Sequence, residues 1–159
     1  MLRDIDIGRL LTHAQAIESR VQAAVATYDG AALEPLLVDI YRFSNPPLRM
    51  EGWVSFPYPH RTQLHFTLRF AVAEGEVRKS GTCGYELVRD GQHLVVVDSC
   101  QHHDFGTEYH KRELLSADGY VHRKDPQPCE TPTMESVSAD IREIWLPRIA
   151  AAVTRGDLK

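Results

Sequence analysis

The sequence predicts an α+β protein in which an antiparallel β-meander lies between an N-terminal and a C-terminal helix. Apolar residues recur every three or four positions near both ends of the chain, and they alternate with polar residues in the middle. Both helices are expected on one face of a curved sheet of five to six strands, which leaves the other face free for chemistry. The length of 159 residues and the 43% hydrophobic content predict a single domain, 1–159, with one core.

The N-terminal helix is predicted over about 6–28. Its apolar positions form one stripe, and the dipeptide Asp29-Gly30 ends it. A helix with one such stripe packs on a core. The stripe consists of Leu10, Leu11, Ala14, Ile17, Val21 and Ala24.

The strand segments are recognised by alternation and by the turn residues between them. Asp90-Gly91 is typical of a tight hairpin, and Ser44-Asn45-Pro46-Pro47 of a turn. The predicted strand regions are 33–43, 48–56, 63–73, two strands within 81–99, and 119–124.

The C-terminal helix is predicted to follow a loop at 125–133, which contains three prolines. Thr131 is the expected N-cap and Pro132 the expected first helical residue. Pro147 is expected to kink the helix or divide it in two, because proline lacks the N–H that the helix interior needs.

Composition and charge restrict the class of protein. The net charge of −4 means that any contact with nucleic acid must come from a local patch. Three cysteines without a CxxC pair favour a reducing compartment, and no apolar run reaches the length of a membrane span. We therefore expect a cytoplasmic protein with no membrane contact. No glycine-rich nucleotide motif occurs, so no cofactor is expected.

The segment 98–113 carries the densest set of chemically active side chains. Imidazoles can act as general acid and base near neutral pH, while lysine and arginine can bind phosphate. That composition suits a metal-independent ribonuclease that cleaves phosphodiesters. The candidate catalytic residues are His102, His103, His110 and Asp98, and the candidate phosphate-binding residues are Lys111 and Arg112.

Zinc binding is the competing chemical interpretation of the same segment. Cys100, His102 and His110 are ligand types that zinc accepts, but no recognised ligand spacing occurs.

A second candidate group lies on the strand predicted over 63–73. His65, Thr67 and Arg69 alternate with apolar residues and should project from the same face of the sheet. His-x-Thr is one half of the signature of two-histidine phosphoesterases, and a second copy is absent from the sequence. These three residues are predicted to line a substrate face.

The stretch "YELVRDGQHLVVVDSCQHHDFGTEYHKRE", together with the later "TMESVSADIREI", resembles the TumE-like toxins of bacterial toxin–antitoxin modules. In this resemblance His102-His103 match the paired histidines of the family, and His110-Lys111-Arg112 match its later histidine-rich motif. The resemblance implies a toxin that acts on RNA and is neutralised by an antitoxin protein.

Three hypotheses remain open from the sequence. The first is an RNA-directed toxin, the second is a non-enzymatic module that binds a protein partner, and the third is a cyclic-phosphodiesterase-like enzyme that uses His65 and Thr67. The sequence does not define the oligomeric state.

Overall fold

The computed structural model describes residues 2–79, 84–99 and 109–158 and has an α+β fold. The helical parts are α1 (Asp4–Val25), α2 (Met134–Asp140), a π-helical turn (Ile141–Trp145) and α3 (Leu146–Arg155). The strands are β1 (Ala32–Leu33), β2 (Leu37–Ile40), β3 (Leu48–Phe56), β4 (Thr62–Ala73), β5 (Glu76–Lys79), β6 (Gly84–Arg89), β7 (Gln92–Ser99), β8 (Tyr109–Glu113), β9 (Leu115–Ser116), β10 (Gly119–Tyr120) and β11 (Gln127–Cys129).

One large antiparallel sheet dominates the fold. Within the described residues its order is β1-β3-β4-β6-β7-β8-β11, with β2 also paired to β3 and β5 also paired to β4. The short strands β9 and β10 form a separate hairpin. The sheet thus has more strands than the five to six expected, because several short pairings join the long meander strands.

The core lies between one face of this sheet and the helices. Alternate residues of β3 and β4, such as Met50, Phe66 and Phe70, are buried and meet the apolar stripe of α1. Trp145 and Ile149 from the C-terminal helical segment are also fully buried. The remaining residues of β3 and β4 project from the opposite, open face, as the period of two requires.

The long meander strands agree with the predicted segments. β3 has the predicted bounds, β4 begins one residue earlier, and β6 and β7 form the predicted hairpin. Asp90 and Gly91 have φ angles of 48° and 75°, the left-handed conformation that a two-residue hairpin turn requires. Residues 81–83 of the predicted hairpin lie outside the described residues.

The predicted end of the N-terminal helix was wrong, because α1 ends at Val25 with Ala26 as its C-cap, before Asp29-Gly30. Four other predicted boundaries were also wrong. The segment 33–43 contains the two short strands β1 and β2, both paired to β3, with Pro35 between them. Only Gly119–Tyr120 of 119–124 is a strand. Part of the predicted loop 125–133 forms β11, where Pro128 is accommodated in an outermost strand.

The fourth correction concerns the start of the C-terminal helix. Thr133, and not Thr131, is the N-cap, and its hydroxyl oxygen accepts a hydrogen bond of 3.0 Å from the Ser136 N–H. The π-helical turn ends just before Pro147, which lies in the first turn of α3. In this turn the backbone hydrogen bonds span five residues, where an α-helix has a span of four. The change occurs next to Pro147, which has no backbone N–H to donate. Within the described residues, no helix has both the length and the hydropathy of a bilayer span.

Candidate functional site

A cleft of about 520 Å³ lies on the open face of the sheet. Strands β3, β4, β6 and β7 contribute to it, and their side chains are mainly polar. The lining residues are Arg49, His65, Thr67, Arg69, Gly84, Tyr85, Glu86, Val96, Val97 and Asp98. The predicted substrate-face residues of β4 thus lie in the same cleft as Asp98, which the sequence placed in the other candidate group.

His65 is held in the cleft by its neighbours on both sides. Its Nδ1 atom is 3.2 Å from a carboxylate oxygen of Glu86, its cross-strand partner on β6. Trp53, its partner on β3, stacks on the ring with a centroid distance of 4.7 Å and an interplanar angle of 15°. The Nε2 atom is buried and has no hydrogen-bond partner among the described residues. When Nδ1 carries the proton that Glu86 accepts, Nε2 is a proton acceptor.

Glu86 holds a second imidazole outside the cleft lining. Its other carboxylate oxygen is 3.2 Å from His93 Nδ1, and the His93 side chain is half exposed. His65 and His93 therefore share one carboxylate, but only His65 lines the cleft. This difference provides a matched control for experiments on His65.

Asp98 and His110 form the closest pair of the candidate site. They are directly opposite each other on β7 and β8, and His110 Nε2 is 2.6 Å from Asp98 Oδ1. The His110 side chain is 10% exposed, whereas that of Asp98 is 55% exposed. The imidazole therefore contacts the carboxylate from the neighbouring strand, and Asp98 is the member of the pair that lines the cleft.

Two arginines face each other across the other end of the cleft. Arg49 on β3 and Arg69 on β4 are cross-strand partners, and Thr67 is two residues from Arg69 on the same face. The Arg49 guanidinium also contacts the Glu51 carboxylate. Like charges directly opposite in an antiparallel pair repel each other. The Glu51 carboxylate offsets that repulsion at Arg49.

Gly84 forms a gap in the row of side chains between Thr67 and Asp98. It pairs with Thr67 on one side. On the other side, a Cβ atom at this position would lie 2.3 Å from the Val97 carbonyl oxygen and 3.0 Å from the Asp98 Cα. Only glycine allows β6 and β7 to approach this closely. Gly84 therefore contributes only backbone to the lining of the cleft.

Lys111 and Arg112 lie on opposite faces of the sheet, because they are adjacent on β8. Lys111 is on the helix side, where its Nζ is 3.1 Å from Glu113, and Arg148 of α3 is 3.4 Å from the same carboxylate. Burial alone would raise the pKa of Glu113, but hydrogen bonds and charge from Lys111 and Arg148 outweigh it and lower that pKa. The structure therefore does not bring Lys111 to the cleft. Arg112 is exposed on the open side, opposite Val96.

Three predicted residues, Cys100, His102 and His103, lie outside the described residues. Of the predicted zinc ligands only His110 is described, and its Nε2 atom contacts Asp98. Among the described residues no group of three or more His, Cys, Asp or Glu side chains could hold a metal ion.

Four components of the cleft or its wall were not predicted from the sequence: Arg49, Trp53, Gly84 and Glu86. Each is contributed by a strand other than β4, and only the register between strands brings it to His65, Thr67 or Arg69. The alternation in β3 and β6 would have assigned these residues to the open face, but not to particular partners. Comparison with protein-family models, curated proteins and solved structures finds no match for this chain.

Proposed function

We propose that this protein is an RNA-cleaving toxin of a bacterial toxin–antitoxin module and that the cleft on the open sheet face is its active site. The observation that carries the proposal is the position of two carboxylate–imidazole pairs, His65–Glu86 and Asp98–His110, at the same cleft. Metal-independent ribonucleases need two such proton-transfer groups on opposite sides of the scissile phosphate.

The spacing of the two pairs supports this assignment. His65 is on β4 and Asp98 is on β7, with only β6 between them. Neighbouring strands lie about 4.8 Å apart, and Asp98 is two residues further along β7 than Val96, which is in register with His65 through Glu86. The two groups therefore rise from backbone positions that are about 12 Å apart. A phosphodiester fits between side chains that converge from that separation, and Gly84 has no side chain that would project between them.

The cleft also contains groups suited to a phosphate. Arg69 and Arg49 supply guanidinium groups, and Thr67 supplies a hydroxyl. Guanidinium groups bind phosphate oxygens through paired hydrogen bonds and stabilise the additional charge of the transition state.

In the proposed reaction, the His65–Glu86 pair removes the proton from the ribose 2′-hydroxyl. The 2′-oxygen forms a bond to phosphorus, and the bond between phosphorus and the 5′-oxygen breaks. The Asp98–His110 pair gives a proton to the leaving 5′-oxygen. The products are a 2′,3′-cyclic phosphate and a free 5′-hydroxyl, and no oxidant or metal takes part.

The biological context rests on the resemblance of residues 85–113 and 133–144 to TumE-like toxins. In that context the substrate is cellular RNA, the protein acts in the cytoplasm, and an antitoxin protein inhibits it by covering the open face. His102 and His103 stay candidates for additional catalytic groups of this site.

The test uses purified full-length protein and a labelled single-stranded RNA in the presence of EDTA. The wild type should produce fragments with 2′,3′-cyclic phosphate ends. His65→Ala and Asp98→Asn should each reduce the cleavage rate about a hundredfold or more, since general acid–base catalysis contributes about 10²–10⁴-fold. His93→Ala is the matched control and should cleave normally, because it removes the other imidazole on Glu86 and leaves the cleft intact.

Two results would overturn the proposal. The first is cleavage that disappears in EDTA and returns with a metal ion. The second is a His65→Ala variant that cleaves RNA and arrests growth as the wild type does. The second result would place the catalytic site elsewhere in the molecule. A wild type that arrests growth but cleaves no RNA would favour the non-enzymatic protein-binding module.

A cyclic phosphodiesterase is a second candidate, because His65 and Thr67 line the same cleft. Hydrolysis of a 2′,3′-cyclic nucleotide by the wild type, lost in Thr67→Val, together with no cleavage of intact RNA, would select this activity.

A further inference from the structure

A second cleft, of about 440 Å³, lies next to the first and is rich in cationic side chains. One strand, β8, and the segment after β10 form it. Its lining residues are Arg112, Leu114, His122, Arg123, Lys124 and Asp125. The lining therefore contains three side chains that are positively charged at neutral pH and one carboxylate.

Among the residues that the structure describes, these three cations differ from the other lysines and arginines in their contacts. Most arginines there are held by carboxylates, as Arg78 is by Glu74 and Arg155 is by Asp157. Among the lysine and arginine side chains described, Arg112, Arg123 and Lys124 have no ion pair and no side-chain hydrogen bond to another described residue. All three line this one cleft, so their charge is available to an external anion.

We infer that this second cleft binds the phosphate backbone of single-stranded RNA and extends the catalytic cleft along the substrate. The inference rests on the proposed function, and it identifies the substrate as a polynucleotide longer than the scissile dinucleotide. Contacts of this kind are electrostatic and independent of sequence, as backbone contacts generally are.

The two clefts are connected through β7 and β8. Arg112 is the cross-strand partner of Val96, which lines the catalytic cleft. His110 and Arg112 are two residues apart on β8, which places them about 7 Å apart along the strand. One phosphate at Asp98–His110 and a neighbouring phosphate at Arg112 can therefore be contacted by the same strand. Arg123 and Lys124 continue the cationic surface beyond Arg112.

Concavity favours a nucleic-acid strand over a lipid surface. The three cations line a hollow, whereas a flat bilayer is best contacted by a flat or protruding basic patch. The hollow also adjoins groups suited to phosphodiester chemistry, which a bilayer would not use.

The test measures binding of full-length protein to a fluorescein-labelled 2′-O-methyl oligouridylate, which cannot be cleaved, by fluorescence anisotropy over a range of salt concentrations. The test variant is Arg112→Gln/Arg123→Gln/Lys124→Gln. The control variant, Arg78→Gln/Arg142→Gln/Arg155→Gln, removes the same charge from exposed arginines elsewhere. Circular dichroism checks that both variants are folded.

The test variant should bind at least tenfold more weakly than the wild type at low salt, and the control should bind within about twofold of it. Each phosphate contact contributes about 0.7 to the slope of log K against log salt for single strands, so three lost contacts should reduce that slope by about 2.

The outcomes separate this inference from the proposed function. Equal affinity and equal slope in the test variant and the wild type would overturn the inference, even if the wild type cleaves RNA. Lost binding in the test variant, with no cleavage by the wild type, would support the cationic site and overturn the ribonuclease. Binding to phosphatidylserine vesicles but not to the oligonucleotide would overturn the inference in favour of a lipid surface.

Discussion

Replacement of Gly84 by alanine tests whether the close approach of β6 and β7 is a rigid part of the cleft. The added Cβ would lie 2.3 Å from the Val97 carbonyl oxygen, far closer than a van der Waals contact allows. Both neighbours are backbone atoms of a paired strand, so a side-chain rotation cannot relieve the overlap. The strands must separate, and Asp98 must move with β7.

The expected cost follows from two opposing contributions. Overpacking of this kind costs about 1–3 kcal/mol. Alanine has less freedom in the unfolded chain than glycine and recovers about 0.4–1 kcal/mol. We therefore expect a net loss of about 1–2 kcal/mol in the free energy of unfolding. For a protein of this size, 1 kcal/mol changes Tm by about 2–4 °C, so the expected decrease is about 2–8 °C.

The measurements are urea denaturation and thermal denaturation followed by circular dichroism, with RNA cleavage recorded on the same preparations. Gly8→Ala is the matched control, because nothing lies within 4 Å of a Cβ at that position in α1. This variant should gain up to about 1 kcal/mol from helix propensity. The two glycine-to-alanine changes should thus have opposite signs.

A Gly84→Ala variant as stable and as active as the wild type would refute this reasoning. It would mean that β6 and β7 can separate without cost and that the cleft does not depend on their close approach. A loss of activity without a loss of stability would instead indicate that β7 moves easily but that the position of Asp98 is critical.

Two further predictions concern the C-terminal half of the chain. Glu113→Gln should reduce the free energy of unfolding at neutral pH by less than about 1 kcal/mol, since the ion pairs of Glu113 are partly exposed. Because folding lowers the pKa of Glu113, its stabilising contribution is present above the pKa of the unfolded state and disappears as pH falls through the pKa of the folded state. The urea midpoints of variant and wild type should therefore converge in acid. Thr133→Ala removes the N-cap hydrogen bond of α2 and should cost about 1 kcal/mol in thermal unfolding, whereas Thr12→Ala, in the interior of α1, should cost nothing.

The fold was predictable where the hydrophobic pattern is long and regular. β3 and β4 alternate over 9 and 12 residues, so their existence, bounds and faces could be read directly. β8 and β11 were not predicted as strands, because β8 is mostly polar and Pro128 argues against a strand. Both form because a neighbouring strand offers hydrogen bonds, and that depends on tertiary structure.

The candidate site was predictable only within single strands. The alternation of β4 placed His65, Thr67 and Arg69 on one face, and the structure shows them lining one cleft. The same alternation, applied to β8, would have placed Lys111 and Arg112 on opposite faces of the sheet. Glu86 could not be assigned to His65, because the pairing of β4 with β6 depends on a register that neither strand specifies by itself.

Strand β11 restricts how a protein inhibitor could act. It closes the sheet margin beside His110 with three residues, and Pro128, opposite His110, has no N–H to offer to an incoming strand. Within the described residues, β1 and β2 at the far margin are paired only to β3. An inhibitor that lengthened the sheet there would leave both hollows accessible to substrate. Under the proposed function, an antitoxin would therefore have to cover the polar face of the sheet directly, and acidic side chains would suit the guanidinium groups there.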